Sequence, residues 1–314
     1  MIDVVTFGET MAALRGGGPL RLGGSLTLSV AGAESNVAIG LARLGHAVRW
    51  IGRIGDDEPG ALVRRTLRAE AVDTRAAIDP RRRTGLLLRE NRVANIVRVQ
   101  YYRDDSAGGA ITADDVLPGL AEPTKILHVT GITPALGAAA AGCVRTAITH
   151  ARTRGALVSL DVNYRSRLWT SATARETLRP LLPEVDILFA SEDELPLVAA
   201  DPGADPASAA EQLRSDGVRE VVVKRGSAGA DSYTAEGVTS VPARAVTVVD
   251  VVGAGDAFVS GYLSALLDGA DAVRRLERAA ICGAFAVAHD GDWEGLPRRD
   301  ELHLLDASDG TTYR

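Results

Sequence analysis

The stretch VDVVGAGDAFVSGYLSALL, Val249 to Leu267, joins three unlike segments. An apolar run rich in β-branched residues leads into Gly253-Ala254-Gly255. A carboxylate follows at Asp256, and the almost uncharged run behind it is typical of a buried helix. The pattern predicts a strand, a tight turn and a helix that begins close to Asp256. Because the first N–H groups of a helix are unpaired and lie at the positive end of its dipole, such a turn is suited to bind an anion.

Asp256 has two interpretations at this position. The simpler one is a helix cap, a common role of an aspartate at the start of a helix. The other is a general base that takes a proton from a hydroxyl group as a phosphoryl group arrives at the neighbouring turn. The apolar helix favours the base, and so does the place of the turn after a strand, where open α/β sheets bind their ligands.

The composition is that of an ordinary globular protein and argues against several classes. Of the 314 residues, 46% are hydrophobic and 24% are charged. The formal net charge of −6 argues against a nucleic-acid-binding protein, which needs a basic surface. Cys143 and Cys282 are too far apart for a metal-binding or redox motif. We find neither an export signal nor an apolar run long enough to span a bilayer, and therefore expect a cytoplasmic protein.

The order of elements predicts an α/β fold. Strands and helices alternate along most of the chain, which indicates a three-layer αβα, Rossmann-like domain with a central, mostly parallel sheet over residues 1–11, 33–83 and 108–314. Residues 12–32 and 84–107 differ, because they are typical of antiparallel strands and predict a small β-sheet lid. Within the lid, Leu20 to Ala31 is expected to form one half-exposed strand. There is no G-x-x-x-x-G-K-[ST] motif, and no G-x-G-x-x-G follows the first strand, which argues against a Walker A protein and a dehydrogenase.

Two segments resemble the paired signatures of the ribokinase (PfkB-type) family of carbohydrate kinases. VDVVGAGDAFVSG resembles the C-terminal signature, and AGAESNVAIGLARLG, from Ala31 to Gly45, resembles the N-terminal one. TGLLLRE, the pair Tyr101-Tyr102 with Arg103, SLDVNYR-x-x-LW, SEDEL, VVKRG and GDWEGLP are similar to the 2-keto-3-deoxygluconate kinase branch. The resemblance covers nearly the whole chain and implies a ribokinase-like fold.

In that branch the matching positions imply roles for individual residues. Asp256 would be the base, and the amides of Gly253, Ala254 and Gly255 would hold the phosphoryl group in transfer. The residues implied to contact the sugar acid are Gly32, Asn36, Tyr101, Arg103, Arg165, Asp256 and Asp292. A guanidinium group binds a carboxylate in two-point fashion, which gives Arg103 and Arg165 a physical reason to be there.

The resemblance also implies ATP and Mg²⁺ as cofactors. The residues expected to border the nucleotide are Lys224, Gly226, Gly229, Gly253, Gly255, Ala284 and Ala288. Gly226 and Gly229 can equally be turn residues, and the two alanines can equally be helix core. Glu194 matches the acid of the family's N-x-x-E motif for Mg²⁺, although Ser191 stands in place of the Asn. Asp250 resembles a monovalent-cation neighbour in some relatives, which implies K⁺ as a further ion.

The expected activity is ATP-dependent phosphorylation of 2-keto-3-deoxygluconate at its terminal hydroxyl. The alternative within the family is another kinase, such as a fructokinase, a ribokinase or a nucleoside kinase, and Arg103 and Arg165 discriminate because a neutral sugar needs no paired guanidinium groups. A catalytically inactive sugar-binding regulator is expected to lose Asp256. The galactonate epimer of 2-keto-3-deoxygluconate is an alternative acceptor that the sequence leaves open. We expect no nucleic-acid or membrane partner, and a homo-oligomer formed through the exposed edges of the lid sheet.

Overall fold

The computed structural model describes residues 2–93 and 96–306, and for residues 91–93 and 96 it describes the backbone only. The strands are, in chain order, β1 (Ile2–Phe7), β2 (Met11–Gly16), β3 (Leu26–Ala31), β4 (Val48–Gly55), β5 (Asp73–Asp79), β6 (Leu86–Val93), β7 (Ile96–Tyr102), β8 (Thr124–Thr130), β9 (Leu157–Asp161), β10 (Ile187–Ser191), β11 (Glu220–Lys224), β12 (Ala230–Thr234) and β13 (Gly237–Val241). They form two sheets.

The larger sheet has the order β13-β12-β11-β10-β9-β8-β1-β4-β5. Its pairs are parallel from β11 to β5, and only β12 and β13 are antiparallel to their neighbours. Neighbouring side chains of a strand point to opposite faces, so the sheet carries a core on each side. On β1, Val4 belongs to the apolar cluster on one face and Val5 to the cluster on the other. The predicted αβα architecture is confirmed.

Helices cover both faces of this sheet. They are α1 (Ala33–Arg43), α2 (Glu58–Ala69), α3 (Ala113–Val116), α4 (Ile132–Ala135), α5 (Ala138–Thr153), α6 (Ser171–Leu178), α7 (Pro206–Ser215), α8 (Ala254–Leu267) and α9 (Ala272–Val287). Side-chain caps begin several of them; at α2 the Asp57 carboxylate accepts the Gly60 N–H at 2.9 Å. In the described part of the chain, no helix combines the length and the apolar character that a bilayer crossing requires.

The smaller sheet, which we call the lid sheet, has the order β3-β2-β6-β7. Its two halves are joined by the parallel pair β2–β6, and its outer pairs are antiparallel. One face buries Met11, Ala13, Ala31 and Leu87. Alternation along the strands places the other side chains, such as that of Leu28, on the opposite, exposed face.

Three local predictions were wrong or incomplete. The apolar run from Val249 forms no strand: the N–H groups of Val249 and Asp250 both donate to the carbonyl of Val287, and the sheet ends at β13 instead. Val248, Val249 and Val251 are exposed, and Val248 and Val251 line a cavity, so their β-branched character does not reflect strand pairing. Of the strand expected over Leu20–Ala31 only β3 forms: Leu20–Leu22 is a short 3-10 turn, and Gly23 and Gly24, with φ values of 76° and 118°, separate it from β3. Strands β2 and β5 were not predicted.

Candidate active site

A cleft of about 580 Å³ lies between the lid sheet and the C-terminal ends of the parallel strands. Strands β9, β10 and β11 end there at Asp161, Ser191 and Lys224. The predicted site residues that line this cleft are Gly32, Asn36, Tyr101, Arg103, Arg165, Glu194, Lys224, Gly253, Gly255, Asp256 and Asp292. Residues from both ends of the chain therefore meet at one edge of the sheet, where open α/β folds bind ligands.

Asp256 is held by two asparagine side chains rather than by the backbone of its own helix. Asn36 donates from Nδ2 to Oδ2 at 2.8 Å, and Asn163 donates from Nδ2 to Oδ1 at 3.3 Å. The residue is only 7% exposed. Burial raises the pKa of Asp256 to about 7, against the hydrogen bond from Asn36 and the charge of Arg165, which lower it. A carboxyl with such a pKa is suited to exchange a proton near neutral pH.

The turn before Asp256 is built by glycine. Gly253 is the N-cap of α8 and has a φ of 76°, in the left-handed region that glycine adopts without strain. A Cβ at Gly253 would also lie 2.9 Å from the backbone carbonyl carbon of Asp292. Both the positive φ and this close contact therefore exclude a larger residue. A Cβ at Gly255 would meet only Lys224 Nζ, at 3.8 Å. The turn thus presents open backbone to the cleft, while Ala254 lines the neighbouring cavity.

Lys224 brings a positive charge close to this turn. Its Nζ donates to both oxygens of Asp161, at 2.7 and 3.0 Å, and its side chain is largely buried. Burial alone would lower the pKa of Lys224, but the carboxylates of Asp161 and Glu194 outweigh it and raise the pKa, so the ammonium stays charged. An anion bound at the turn would find this cation within the same cleft.

Glu194 is oriented by two backbone N–H groups. Tyr164 N donates to Oε1 at 2.7 Å, and Ser191 N donates to Oε2 at 2.8 Å, so the position that matches the family's Asn contributes its backbone. In the part of the chain that the structure describes, no cluster of three His, Cys, Asp or Glu side chains could hold a metal ion alone. Mg²⁺ is commonly held by one or two carboxylates together with substrate phosphates, and Glu194 on the cleft wall fits that requirement.

The residues expected to contact a sugar acid lie around the opposite wall. Arg103 forms an ion pair with the buried Glu9, and its guanidinium lies 5.6 Å from the ring centre of Tyr101. Arg165 is exposed to the cleft and forms no ion pair with any residue that the structure describes. Burial raises the pKa of Asp292 to about 6, although the charge of Arg89 lowers it. One free guanidinium and one restrained guanidinium therefore share this end of the cleft.

Gly32 is fixed by a close backbone approach. A Cβ at this position would lie 2.5 Å from the carbonyl oxygen of Glu9 and 2.9 Å from Ser35 Oγ. The residue also precedes α1, so it places the helix start, and with it Asn36, against the cleft. The packing requirement explains the glycine without any ligand.

Several cleft residues were missed by the sequence reasoning. Asn163 adopts a φ of 39°, a left-handed conformation that Asn tolerates better than most residues, and this turn after β9 brings its amide to Asp256. Arg167 donates from Nη1 to the carbonyl of Val99 at 2.6 Å and so ties the same loop to the lid sheet. The motifs SLDVNYR and TGLLLRE contain Asn163 and Arg89, which is the signal that could have pointed to them.

The K⁺ expectation at Asp250 does not fit the structure. The Asp250 carboxylate is buried and forms an ion pair with Arg89 of β6. Its oxygens also accept the N–H groups of Val252, at 3.1 Å, and Gly291, at 3.2 Å. A positive group from the protein already occupies the carboxylate that would bind the ion.

A second cavity of about 630 Å³ adjoins the turn on its other side. Its lining includes the predicted nucleotide residues Lys224, Gly226, Gly229, Gly255 and Ala284, together with Ala243, Val246, Val248, Val251, Ala280 and Val287. Shape and apolar walls suit a nucleotide base. Ala288 does not line it: α9 ends at Val287, and Ala288 is the C-cap. Gly229 has a structural reason as well, because its φ is 103° and a Cβ would lie 2.7 Å from Pro242 Cα.

The fold and the site are those expected of a phosphotransferase: the buried Asp256 lies beside an open glycine turn, where the cleft and the second cavity meet. The model of the pfkB family of carbohydrate kinases matches residues 1–299. The chain belongs to this family and is a carbohydrate kinase, which transfers phosphate to an alcohol group.

Similar proteins cover nearly the whole chain. The 2-dehydro-3-deoxygluconokinase of Bacillus subtilis is 35% identical over 320 residues, which span 100% of this chain and 98% of the relative. The 2-dehydro-3-deoxygalactonokinase of Haloferax volcanii is 32% identical over 92% of each chain. The crystal structure of a candidate ribokinase II from Escherichia coli in complex with ATP and Mg²⁺ has a TM-score of 0.91 and 28% identity, covering 98% of this chain and 99% of that chain.

Proposed function

We propose that this kinase transfers the terminal phosphoryl group of ATP to the terminal hydroxyl of 2-keto-3-deoxygluconate. The observation that carries the proposal is the position of Arg165, a guanidinium without an ion-pair partner among the described residues, in the same cleft as the buried Asp256. A sugar acid presents a carboxylate for the guanidinium and a hydroxyl for the base. The similarity to the Bacillus subtilis 2-dehydro-3-deoxygluconokinase supports the same substrate class.

Different residues would carry out proton transfer and stabilise the phosphoryl group. Asn36 and Asn163 orient the Asp256 carboxylate, which takes the proton of the acceptor hydroxyl. The hydroxyl oxygen then bonds to the terminal phosphorus of ATP as the bond to ADP breaks and ADP leaves. The backbone N–H groups at Gly253, Ala254 and Gly255 stabilise the negative charge on the phosphoryl oxygens.

Two further groups neutralise charge around the nucleotide. Lys224, whose raised pKa keeps it protonated, adds positive charge beside the turn. Mg²⁺, when bound with ATP, would neutralise phosphate charge, and Glu194 would hold it or its waters.

The lid sheet excludes water and completes the acceptor end. Arg103, Tyr101 and Leu87 extend from it into the cleft. The Arg103–Glu9 ion pair holds the guanidinium in a fixed orientation, which suits a two-point contact with a carboxylate. Removing water prevents transfer of the phosphoryl group to water instead of the sugar.

Two alternatives differ only in the acceptor. A kinase for a neutral sugar would gain nothing from the unpaired charge of Arg165. The galactonate epimer has the same carboxylate and terminal hydroxyl, and the Haloferax volcanii relative carries that name. The two acids differ only in the orientation of one hydroxyl group.

A coupled assay of ADP release over a panel of acceptors tests the proposal. We expect kcat/KM for 2-keto-3-deoxygluconate to exceed that for fructose and ribose by at least about 10²-fold, because a bound neutral sugar would cover the Arg165 guanidinium without pairing its charge. Including the galactonate epimer in the panel shows which of the two acids has the higher kcat/KM. A preference for a neutral sugar would overturn the proposal.

We also propose that the protein forms a homo-oligomer through the lid sheet. The outer side of this sheet exposes Leu26, Leu28 and Tyr102, an unusual concentration of large apolar groups. Leu28→Glu should dissociate the assembly in sedimentation velocity. A wild-type chain that sediments as a monomer would contradict this.

The cytoplasmic location stays a prediction.

A further inference from the structure

An ion pair joins the lid sheet to the loop that leads into the 253–255 turn. Arg89, on β6, donates from Nη2 to Oδ2 of Asp250. The two side chains are 4% and 2% exposed, so the pair is removed from solvent almost completely. Arg89 and Asp250 are 161 positions apart in the chain.

Asp250 connects three segments at once. Its Oδ1 accepts Val252 N at 3.1 Å, just before the turn, and its Oδ2 accepts Gly291 N at 3.2 Å. Gly291 precedes Asp292, whose backbone lies against Gly253. The position of the Asp250 carboxylate therefore determines both the turn and the segment that carries Asp292.

A buried carboxylate of this kind requires a positive partner. Leaving one charge of a buried pair without the other is strongly unfavourable, because the desolvated charge is no longer compensated. A small cation could in principle provide the charge, as the resemblance to some relatives implies for K⁺. In this chain the planar guanidinium of Arg89 already provides it.

We propose that Arg89 is the resident counter-ion of the 253–255 turn: its guanidinium replaces a monovalent cation at Asp250 and couples the lid sheet to the phosphoryl-binding backbone. Arg89 is thus a positioning residue that acts through Asp250. The wild-type enzyme needs no monovalent cation. The inference rests on the proposed role of the turn and is independent of which sugar acid is the acceptor.

Salt replacement in the wild-type enzyme is the first test. Initial rates are measured with the best acceptor of the panel, in K⁺, Na⁺ or tetramethylammonium chloride at equal ionic strength, so that general screening is constant. We expect the three rates to agree within about twofold, as nothing at Asp250 exchanges with solvent cations. A wild-type rate that collapses in tetramethylammonium would overturn the proposal without any variant.

Arg89→Met is the second test, since it keeps the length of the side chain and removes the charge. In tetramethylammonium its kcat should fall by about 10²-fold, the scale of a misplaced reacting group, with little change in KM for ATP. K⁺ or low-millimolar guanidinium should restore much of the loss. The double variant Arg89→Met/Asp250→Asn lacks the Asp250 charge and should lose most of this restoration, although Asp290 lies 3.9 Å from the Arg89 guanidinium in the wild type. Arg98→Met, an exposed arginine of the same sheet, is the matched control.

The result against the proposal is an Arg89→Met enzyme that loses no activity, or whose loss is the same in every salt and with guanidinium. Thermal unfolding gives a readout without substrate: K⁺ should stabilise Arg89→Met and leave the wild type unchanged, because a ligand stabilises only the fold that binds it. Because unfolding is measured without substrate, a negative result would count against the role of Arg89 and not against the proposed acceptor. If Arg89→Met does not fold, the wild-type salt series and Arg89→Lys, expected to be K⁺-independent, decide.

Discussion

Asn36, at the start of α1, donates a hydrogen bond of 2.8 Å to Asp256 in the first turn of α8, although 220 positions separate them in the chain. The contact joins the two signature segments at the point where the chemistry is expected. It also distinguishes the interpretations of Asp256. A helix cap would accept N–H groups of its own helix, whereas this carboxylate accepts amides from two other elements.

Asp256→Asn should abolish the proton acceptor and preserve the geometry of the site. We expect kcat to fall by about 10² to 10⁴, the usual contribution of a positioned base. ATP affinity, measured by calorimetry, should be unchanged, because the nucleotide cavity does not include Asp256. Near-normal turnover of the variant would exclude Asp256 as the base.

The pH dependence follows from the raised pKa of Asp256. Only the deprotonated carboxylate accepts a proton, so kcat/KM should rise with pH through about 7 and level off above it. Asn36→Ala removes a hydrogen bond that stabilises the charged form, and should therefore move the rise to higher pH.

The two pH profiles should converge at high pH, where the carboxylate is charged in both proteins, if Asn36 acts only through the pKa. A profile of Asn36→Ala that is lower by the same factor at every pH would assign Asn36 to substrate contact alone.

Arg165→Ala should weaken binding of the acceptor acid selectively. KM for the sugar acid is expected to rise by at least about tenfold, since a charge-assisted hydrogen bond contributes on the order of 1.5–3 kcal/mol. KM for ATP should stay nearly constant. Arg65→Ala, an exposed arginine of α2, is the control. Equal increases of both KM values would argue against a carboxylate at this position.

Gly253 and Gly255 allow a paired test of the turn. Gly253→Ala places a Cβ against the backbone of Asp292 at a positive φ, and should destabilise the fold by more than about 1 kcal/mol. Gly255→Ala has room and lies inside a helix, where alanine is favoured by about 0.8–1 kcal/mol, so the fold should keep its stability.

Activity should nevertheless fall in Gly255→Ala if phosphate approaches the backbone there. Denaturant unfolding together with kcat separates the two effects. A fully active Gly255→Ala enzyme would place the phosphoryl group elsewhere.

The fold class could be predicted because strand–helix alternation depends on local pattern, and the strands β8 to β11 are apolar and bounded by turns. β5 escaped prediction since DTRAAID is a half-exposed edge strand with little apolar periodicity, and β2 because MAALRG is short and rich in small residues. At Val249 the sequence predicted a strand that does not form. The β-branched residues of that run line a cavity instead of pairing with a neighbouring strand.

The site was predictable where residues belong to signature segments, and less so where tertiary contacts decide. Glu9 reaches Arg103 across the cleft, and Arg89 reaches Asp250 from the lid sheet. Neither pairing follows from spacing along the chain, since each depends on how the two sheets meet. The partner of the Asp250 carboxylate could therefore be assigned only from the structure.

The position of the new phosphate on the product tests the central claim most directly. After reaction of the wild-type enzyme with ATP and 2-keto-3-deoxygluconate, phosphorus–proton NMR should show a phosphomonoester coupled to the protons of the terminal CH₂ group. A phosphate coupled to another position would contradict the account, as would no product from this acid under conditions in which fructose is phosphorylated.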